Sequence, residues 1–160
     1  MAIQVGDKIP AATLKVPTKD GIQDQSTEQL FGGKKVVLFS VPGAFTPTCS
    51  MKHLPGFVQN AAAIRAKGVA TIICLSVNDA FVMGAWGKDQ KVGDDVVMAA
   101  DGNGEFARAL GLDFDGSKFG MGHRSQRFAL VAENGVVKHL AVEAPGKFEV
   151  SSAEAVLKAL

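Results

Sequence analysis

Residues 36–57, VVLFSVPGAFTPTCSMKHLPGF, constrain the fold more than any other stretch of the chain. The first six residues form a continuous apolar run, which is typical of a strand covered on both faces of a parallel sheet. Pro42-Gly43 ends this run, and apolar residues then recur at helical spacing over 47–67. Pro55-Gly56 predicts a kink after the first two turns of that helix. The stretch therefore predicts a strand, a turn and a helix in direct succession.

Cys49 lies in the first turn of the predicted helix, where backbone N–H groups have no intrahelical partners and the helix dipole is positive. A thiol in that place is biased toward the thiolate, which is the nucleophilic form of cysteine. This interpretation requires an exposed thiol, whereas the alternative is a small buried hydrophobe. The Thr46 hydroxyl could donate to the thiolate or to an approaching oxygen. Alternatively, Thr46 or Thr48 simply caps the helix.

The remaining patterns predict a single domain over residues 1–160. Apolar runs predict further strands at 11–16, 69–77, 96–100, 127–132 and 136–142. Helix signals follow Ser26 and Asp79, span 105–110, and follow Ser152. Alternating strands and helices predict a parallel βαβ unit, and the Asn134-Gly135 hairpin adds antiparallel strands at one side. The fold class is α/β, a central mixed sheet flanked by helices, with an N-terminal β extension.

Composition and charge exclude several classes of function. Seventeen basic and sixteen acidic side chains give a net charge of +1 without a like-charge run, which argues against nucleic-acid or anionic-membrane binding. No apolar stretch is long enough to span a membrane, and the N-terminus does not resemble a secretory signal, so we expect a cytoplasmic protein. Two cysteines and isolated histidines provide neither a disulfide scaffold nor zinc-site spacing.

The sequence resembles the peroxiredoxins. The segment PGAFTPTCSxxHLPGF resembles their active-site signature, whose proline, threonine and cysteine correspond to Pro42, Thr46 and Cys49. Further segments are similar to the atypical type II or Prx5 subfamily of plants and bacteria, namely SVND at 76–79, FVMxAWG at 81–87 and the C-terminal VSSAEAVLKAL. The resemblance extends over essentially the whole chain.

This resemblance implies a thioredoxin-like fold and reduction of H2O2 or organic hydroperoxides by a peroxidatic cysteine, Cys49. It implies that Thr46 positions the peroxide, that Pro42 shields the site, and that an arginine on a later strand completes it. Arg127 fits that arginine best, with Arg124 as the reserve. The resemblance also implies a homodimer. Attack by the thiolate moves charge to the leaving oxygen, which a guanidinium and a hydroxyl can stabilise, and leaves a sulfenic acid.

Regeneration of the sulfenic acid requires a thiol. Animal members of the subfamily have a resolving cysteine near the C-terminus, but residues 148–152 contain none. Cys74 lies within an apolar strand, and we expect it to be inert core packing. External reduction by glutathione with glutaredoxin, or by thioredoxin, is the expected route, with no bound cofactor. A thiol–disulfide oxidoreductase and a peroxide sensor using the same cysteine are the alternative functions.

His53 lies four residues after Cys49 on the same predicted helical face. An imidazolium there could support the thiolate. We prefer the alternative, in which His53 forms a local hydrogen bond or lies at a subunit surface, and therefore do not include it among the catalytic residues.

Overall fold

The central sheet contains seven strands and forms the frame of the molecule. The computed structural model describes residues 1–160. Its strands are β1 Thr13–Thr18, β2 Gly21–Ser26, β3 Lys35–Val41, β4 Thr71–Ser76, β5 Val97–Ala100, β6 Asp113–Asp115, β7 His123–Ser125, β8 Phe128–Glu133 and β9 Val136–Val142. The α-helices are α1 Thr27–Phe31, α2 Leu54–Gln59, α3 Ala61–Arg65, α4 Ala80–Asp89, α5 Glu105–Leu110 and α6 Ala153–Ala159.

The strand order is β2-β1-β5-β4-β3-β8-β9, with β6 and β7 forming a separate two-stranded sheet. Strand β3 is parallel to β4, and β4 is parallel to β5, as the alternating pattern predicts. Strands β8 and β9 add antiparallel pairs beyond β3. The mixed sheet, its flanking helices and the N-terminal β extension are therefore confirmed.

Both faces of the sheet are buried, because alternate residues of β3 enter two different cores. Val37, Phe39 and Val41 belong to one core, which includes side chains from α2, α3, α4 and α6. Val36 and Leu38 belong to the other, which includes side chains from α1 and α5. A nearly continuous apolar strand is what two-sided burial requires.

The helix after β3 differs from its prediction in one respect. Instead of a kink at Pro55-Gly56, a π-helical turn spans Cys49–His53 and continues directly into α2. Pro55 has no N–H, and its ring would crowd the carbonyl four residues earlier in a regular α-helix. The Leu54 N–H instead bonds to the Cys49 carbonyl, and the helical path breaks at Asn60, where φ is −100° and ψ is 8°.

Short sequence motifs predicted some of the short elements correctly, whereas other short elements have no such motif. The Ser26 capping box with Gln29 is present at the start of α1, as predicted. The hairpin at Asn134-Gly135 joins β8 and β9, also as predicted. Strand β2 and the β6–β7 hairpin were not predicted. No helix is both long and apolar enough to cross a bilayer.

Candidate active site

Cys49 reaches its position through a tight turn at the end of β3. The Thr46 N–H and hydroxyl both bond to the Gly43 carbonyl, at 3.4 and 2.7 Å. Phe45 within this turn has φ of +65°, an uncommon conformation for a bulky residue. The Ser50 N–H then bonds to the Thr46 carbonyl at 2.9 Å, which starts the helical path. Residues 42–48 thus connect the C-terminal end of β3 to the π-helical segment that begins at Cys49.

Arg127 contacts the sulfur directly. Its Nη2 donates a hydrogen bond to Cys49 Sγ at 3.0 Å. The two residues are 78 positions apart in sequence, but Arg127 immediately precedes β8, and Phe128 of β8 is paired with Ser40 near the end of β3. Antiparallel pairing of β3 with β8 therefore brings the guanidinium to the turn that carries the cysteine.

The reserve arginine lies elsewhere. Arg124 donates from Nε to the Met121 carbonyl at 2.8 Å and from Nη1 to the Val77 carbonyl at 3.2 Å. The same Nη1 lies 3.5 Å from the Pro42 carbonyl. Arg124 thus ties together loops around the site, including the predicted shielding proline, whereas Arg127 has the guanidinium beside the sulfur.

His53 holds the other side of the Arg127 guanidinium. Arg127 Nη1 lies 2.8 Å from His53 Nδ1, and His53 Nε2 lies 2.9 Å from the Ser151 carbonyl. A carbonyl and a guanidinium fix the tautomer, because the carbonyl only accepts and the guanidinium only donates. His53 therefore carries its proton on Nε2 and is neutral. Burial, followed by the nearby Arg127 charge, lowers the pKa of His53 to about 3.

The imidazolium considered for His53 is therefore wrong. The ring is hydrogen-bonded within the chain, but the bond is not local as expected, because its partners Ser151 and Arg127 are 98 and 74 positions away in sequence. The contact of His53 with Arg127 was not predicted. The spacing of four residues from Cys49 was the available signal, since it placed both side chains on one helical face. Nothing local in the sequence indicated that Arg127 would come between them.

Two expectations about the site differ from the structure. Cys49 is fully buried, whereas an exposed thiol was expected from the sequence. The first helical turn packs against the sheet, so Cys49 belongs to the same core as Phe39 and Phe57. The Thr46 hydroxyl donates to the Gly43 carbonyl and not to the sulfur. Neither threonine caps the helix with its side chain, since Thr48 forms no such bond either.

Three residues that the sequence assigned to the site are partly exposed. Pro42, Thr46 and Arg127 are each intermediate in exposure. The remaining lone pairs of the Thr46 hydroxyl can accept a hydrogen bond, because its proton is already committed to the Gly43 carbonyl. The turn before Cys49 therefore carries a hydroxyl that can still accept a hydrogen bond, and Arg127 places a charged donor on the sulfur.

Cys74 occupies the middle of β4 and is fully buried in the same core as Cys49. Both cysteines are free thiols. Burial raises the pKa of the Cys74 thiol well above its ordinary value, and the neighbouring Cys49 adds to this effect. Cys74 is thus held as a protonated thiol, which is a poor nucleophile.

Comparisons with known proteins identify the family. The redoxin family matches residues 4–157. Peroxiredoxin-2B of Arabidopsis thaliana is 51% identical over 159 residues, covering 99% of this chain and 98% of that protein. Peroxiredoxin-2E, chloroplastic, of the same plant is 51% identical over 163 residues, covering 99% of this chain and 70% of that protein.

A solved structure shows the same relationship. Reduced Prx3 from Vibrio vulnificus, crystallised in complex with H2O2, has a TM-score of 0.94 and 54% identity, and the match covers 98% of each chain. Such a score, together with near-complete coverage, means that the two chains share their fold from end to end. The chain therefore belongs to the redoxin family and, within it, to the peroxiredoxins, which are thiol peroxidases.

Proposed function

We propose that Cys49 is the peroxidatic cysteine and that Arg127, Thr46 and Pro42 complete its site. The observation that carries this proposal is the hydrogen bond of 3.0 Å from Arg127 Nη2 to Cys49 Sγ. Arg127 is always protonated, so the sulfur faces a permanent positive charge. No other arrangement on the chain combines a nucleophile with a charged donor in this way.

The reaction is a displacement on oxygen. The Cys49 thiolate gives an electron pair to the terminal oxygen of a hydroperoxide, the S–O bond forms, and the O–O bond breaks. The other oxygen, which stays bonded to the organic group or hydrogen, leaves as an alkoxide or hydroxide and takes a proton from water, while Cys49 becomes a sulfenic acid. Arg127 lies where it can stabilise the charge as it moves from sulfur to the leaving oxygen. Thr46 accepts a hydrogen bond from the peroxide O–H, and Pro42 limits access of water.

The first experiment is stopped-flow oxidation of the reduced protein by H2O2. Trp86 provides the signal, because it is the only tryptophan and its Nε1 donates to the Ser50 hydroxyl, next to Cys49, at 3.0 Å. We expect Cys49→Ser to abolish the fast phase and Cys74→Ala to retain it. Fast oxidation of the Cys49→Ser protein would refute the assignment.

We propose that an external thiol, supplied by glutathione with glutaredoxin or by thioredoxin, reduces the sulfenic acid. The support is the burial of Cys74 within β4 and the lack of any third cysteine. The thiol condenses with the sulfenic acid to a mixed disulfide and water, and a second thiol releases Cys49. Turnover assays with each reductant, on the wild type and Cys74→Ala, separate the two sources. Loss of turnover in Cys74→Ala with both would overturn the external route.

We further propose a homodimer formed by one domain, residues 1–160, in the cytoplasm. Large apolar side chains that face solvent favour a partner surface, since burying them is favourable: Phe45, Met51, Phe81 and Phe119 are 52%, 76%, 78% and 71% exposed. Two unpaired cysteines suit a reducing compartment. Light scattering coupled to size exclusion tests the dimer, and a monomer mass at micromolar concentration would refute it.

A further inference from the structure

Glu143 is a buried carboxylate that the proposed peroxide chemistry does not use. It immediately follows β9 and is only 7% exposed. Its two oxygens accept from the Glu149 N–H at 2.9 and 2.8 Å, and Oε2 also accepts from the Val150 N–H at 2.9 Å. The same Oε2 accepts from the N–H and the hydroxyl of Ser151 at 2.8 and 2.7 Å. One side chain therefore fixes three consecutive residues of the loop before α6.

These hydrogen bonds keep the carboxylate ionised. Burial by itself would raise the pKa of Glu143, but the bonds from the Ser151 hydroxyl and from the three backbone N–H groups lower it overall. A carboxylate that accepts several such bonds is strongly held in its charged form. The loop is thus organised around a negative charge at neutral pH.

The loop that Glu143 fixes lies against the groups that orient Arg127. The Ser151 carbonyl receives the His53 Nε2 hydrogen bond at 2.9 Å. The Phe148 ring packs edge-on against His53 with centroids 4.9 Å apart, and the Arg127 guanidinium carbon lies 5.9 Å from the Phe148 ring centroid. The loop therefore contacts His53 through the Ser151 carbonyl and the Phe148 ring, and it contacts the Arg127 guanidinium through the same ring.

Glu143 is also joined to Arg127 through the main chain. Its N–H donates to the Arg127 carbonyl at 3.0 Å, extending the β8–β9 ladder by one pair beyond Phe128 and Val142. The backbone of Arg127 and the loop that orients its side chain thus depend on the same residue. A substitution of the Glu143 side chain keeps this backbone bond, so its effect on the guanidinium would come through the loop.

We propose that Glu143 is a positioning residue for the peroxide reaction, which acts by holding residues 148–151 against His53 and Arg127. This inference rests on the proposed role of Arg127. Without the carboxylate, three backbone N–H groups and a hydroxyl lose their acceptor and turn toward water. His53 then loses its fixed carbonyl partner, and the guanidinium loses the orientation that aims Nη2 at the sulfur.

A double-mutant cycle with Arg127 tests this proposal. The measurement is the second-order rate constant for oxidation of the reduced protein by H2O2, in wild type, Glu143→Ala, Arg127→Ala and the double variant. We expect Glu143→Ala to lower the rate constant by about tenfold when Arg127 is present and by less than about twofold when it is absent, as for two coupled residues. The matched control is Glu154→Gln, an exposed carboxylate in the first turn of α6, which should stay within about twofold of wild type.

Two results would overturn the proposal: a rate constant unchanged by Glu143→Ala, or the same factor of loss with and without Arg127. The second result would mean that Glu143 only supports the fold. If Glu143→Ala fails to fold, Glu143→Gln replaces it in the double-mutant cycle. The amide oxygen of the glutamine can accept the bonds that Oε2 accepts, but its NH2 group is a donor and cannot accept from the Glu149 N–H. We expect a loss of about threefold for it, confined to proteins that retain Arg127. A wild-type rate constant in Arg127→Ala alone would refute the role of Arg127, whereas additive losses would refute only the role of Glu143.

Discussion

Replacing Arg127 by lysine separates the charge of the guanidinium from its forked shape. Arg127 donates to Cys49 Sγ from Nη2 and to His53 Nδ1 from Nη1, at 3.0 and 2.8 Å. A lysine keeps the positive charge but concentrates its donors at one flexible atom, which cannot reproduce both bonds in the same geometry. One hydrogen bond to a charged group contributes about 1.5–3 kcal/mol. Its loss corresponds to a fall of about ten- to hundredfold in the rate constant for H2O2.

Arg127→Gln is compared with Arg127→Lys. It removes the charge as well, and loss of a preorganised donor at a reacting centre costs about 10²- to 10³-fold. Stopped-flow oxidation monitored by Trp86 fluorescence measures both variants. Arg108→Lys, an exposed arginine on α5, is the matched control and should leave the rate constant unchanged. If Arg127→Lys reacts as fast as wild type, the positive charge alone suffices and the forked shape of the guanidinium is not required.

Three other measurements each depend on a single structural feature. The pKa of His53 is lowered to about 3, so at pH values between that and 6.5 the unfolded chain binds a proton that the folded chain does not. As the pH falls through this range, the free energy of unfolding should decrease by up to about 1.4 kcal/mol per pH unit. Urea unfolding at several pH values should show that this dependence of stability on pH is weaker in His53→Gln. Cys74 should react with a thiol reagent only after denaturation, because it is fully buried in β4; rapid labelling of the native protein at Cys74 would contradict this. Asn134 has φ of +48° and accepts from the Gly33 N–H at 2.7 Å, so Asn134→Ala should cost about 1–3 kcal/mol in urea unfolding, and an unchanged midpoint would contradict this.

The parts of the fold that the sequence predicted are those that local periodicity determines. The apolar run of β3, the turn at Pro42-Gly43 and the helix that begins near Cys49 each depend on residues within a few positions of one another. The choice of Arg127 over Arg124 came from family resemblance, and the start of β8 beside the end of β3 gives it a geometric reason. Strand β2 was missed because its sequence, GIQDQS, has one apolar residue and is held by pairing with β1.

The site features that were mispredicted depend on contacts between distant segments. Burial of Cys49 depends on its packing against the sheet and on Arg127, 78 residues away. The direction of the Thr46 hydroxyl depends on the left-handed backbone of Phe45, a conformation that no propensity favours in phenylalanine. The connection from His53 to Glu143 passes through a loop almost a hundred residues farther along the chain, so no local pattern indicates it.

Burial of the sulfur and neutrality of His53 together explain why a guanidinium suits this site. A thiolate in the interior is costly unless an opposite charge is close, and attraction between charges is stronger there than in water. His53 cannot provide that charge, because its Nδ1 accepts from Arg127 and its pKa is lowered to about 3. Arg127 therefore supplies the positive charge at the sulfur. Since the reaction only moves negative charge from sulfur to the leaving oxygen, one fixed cation can serve both states without rearranging its partners.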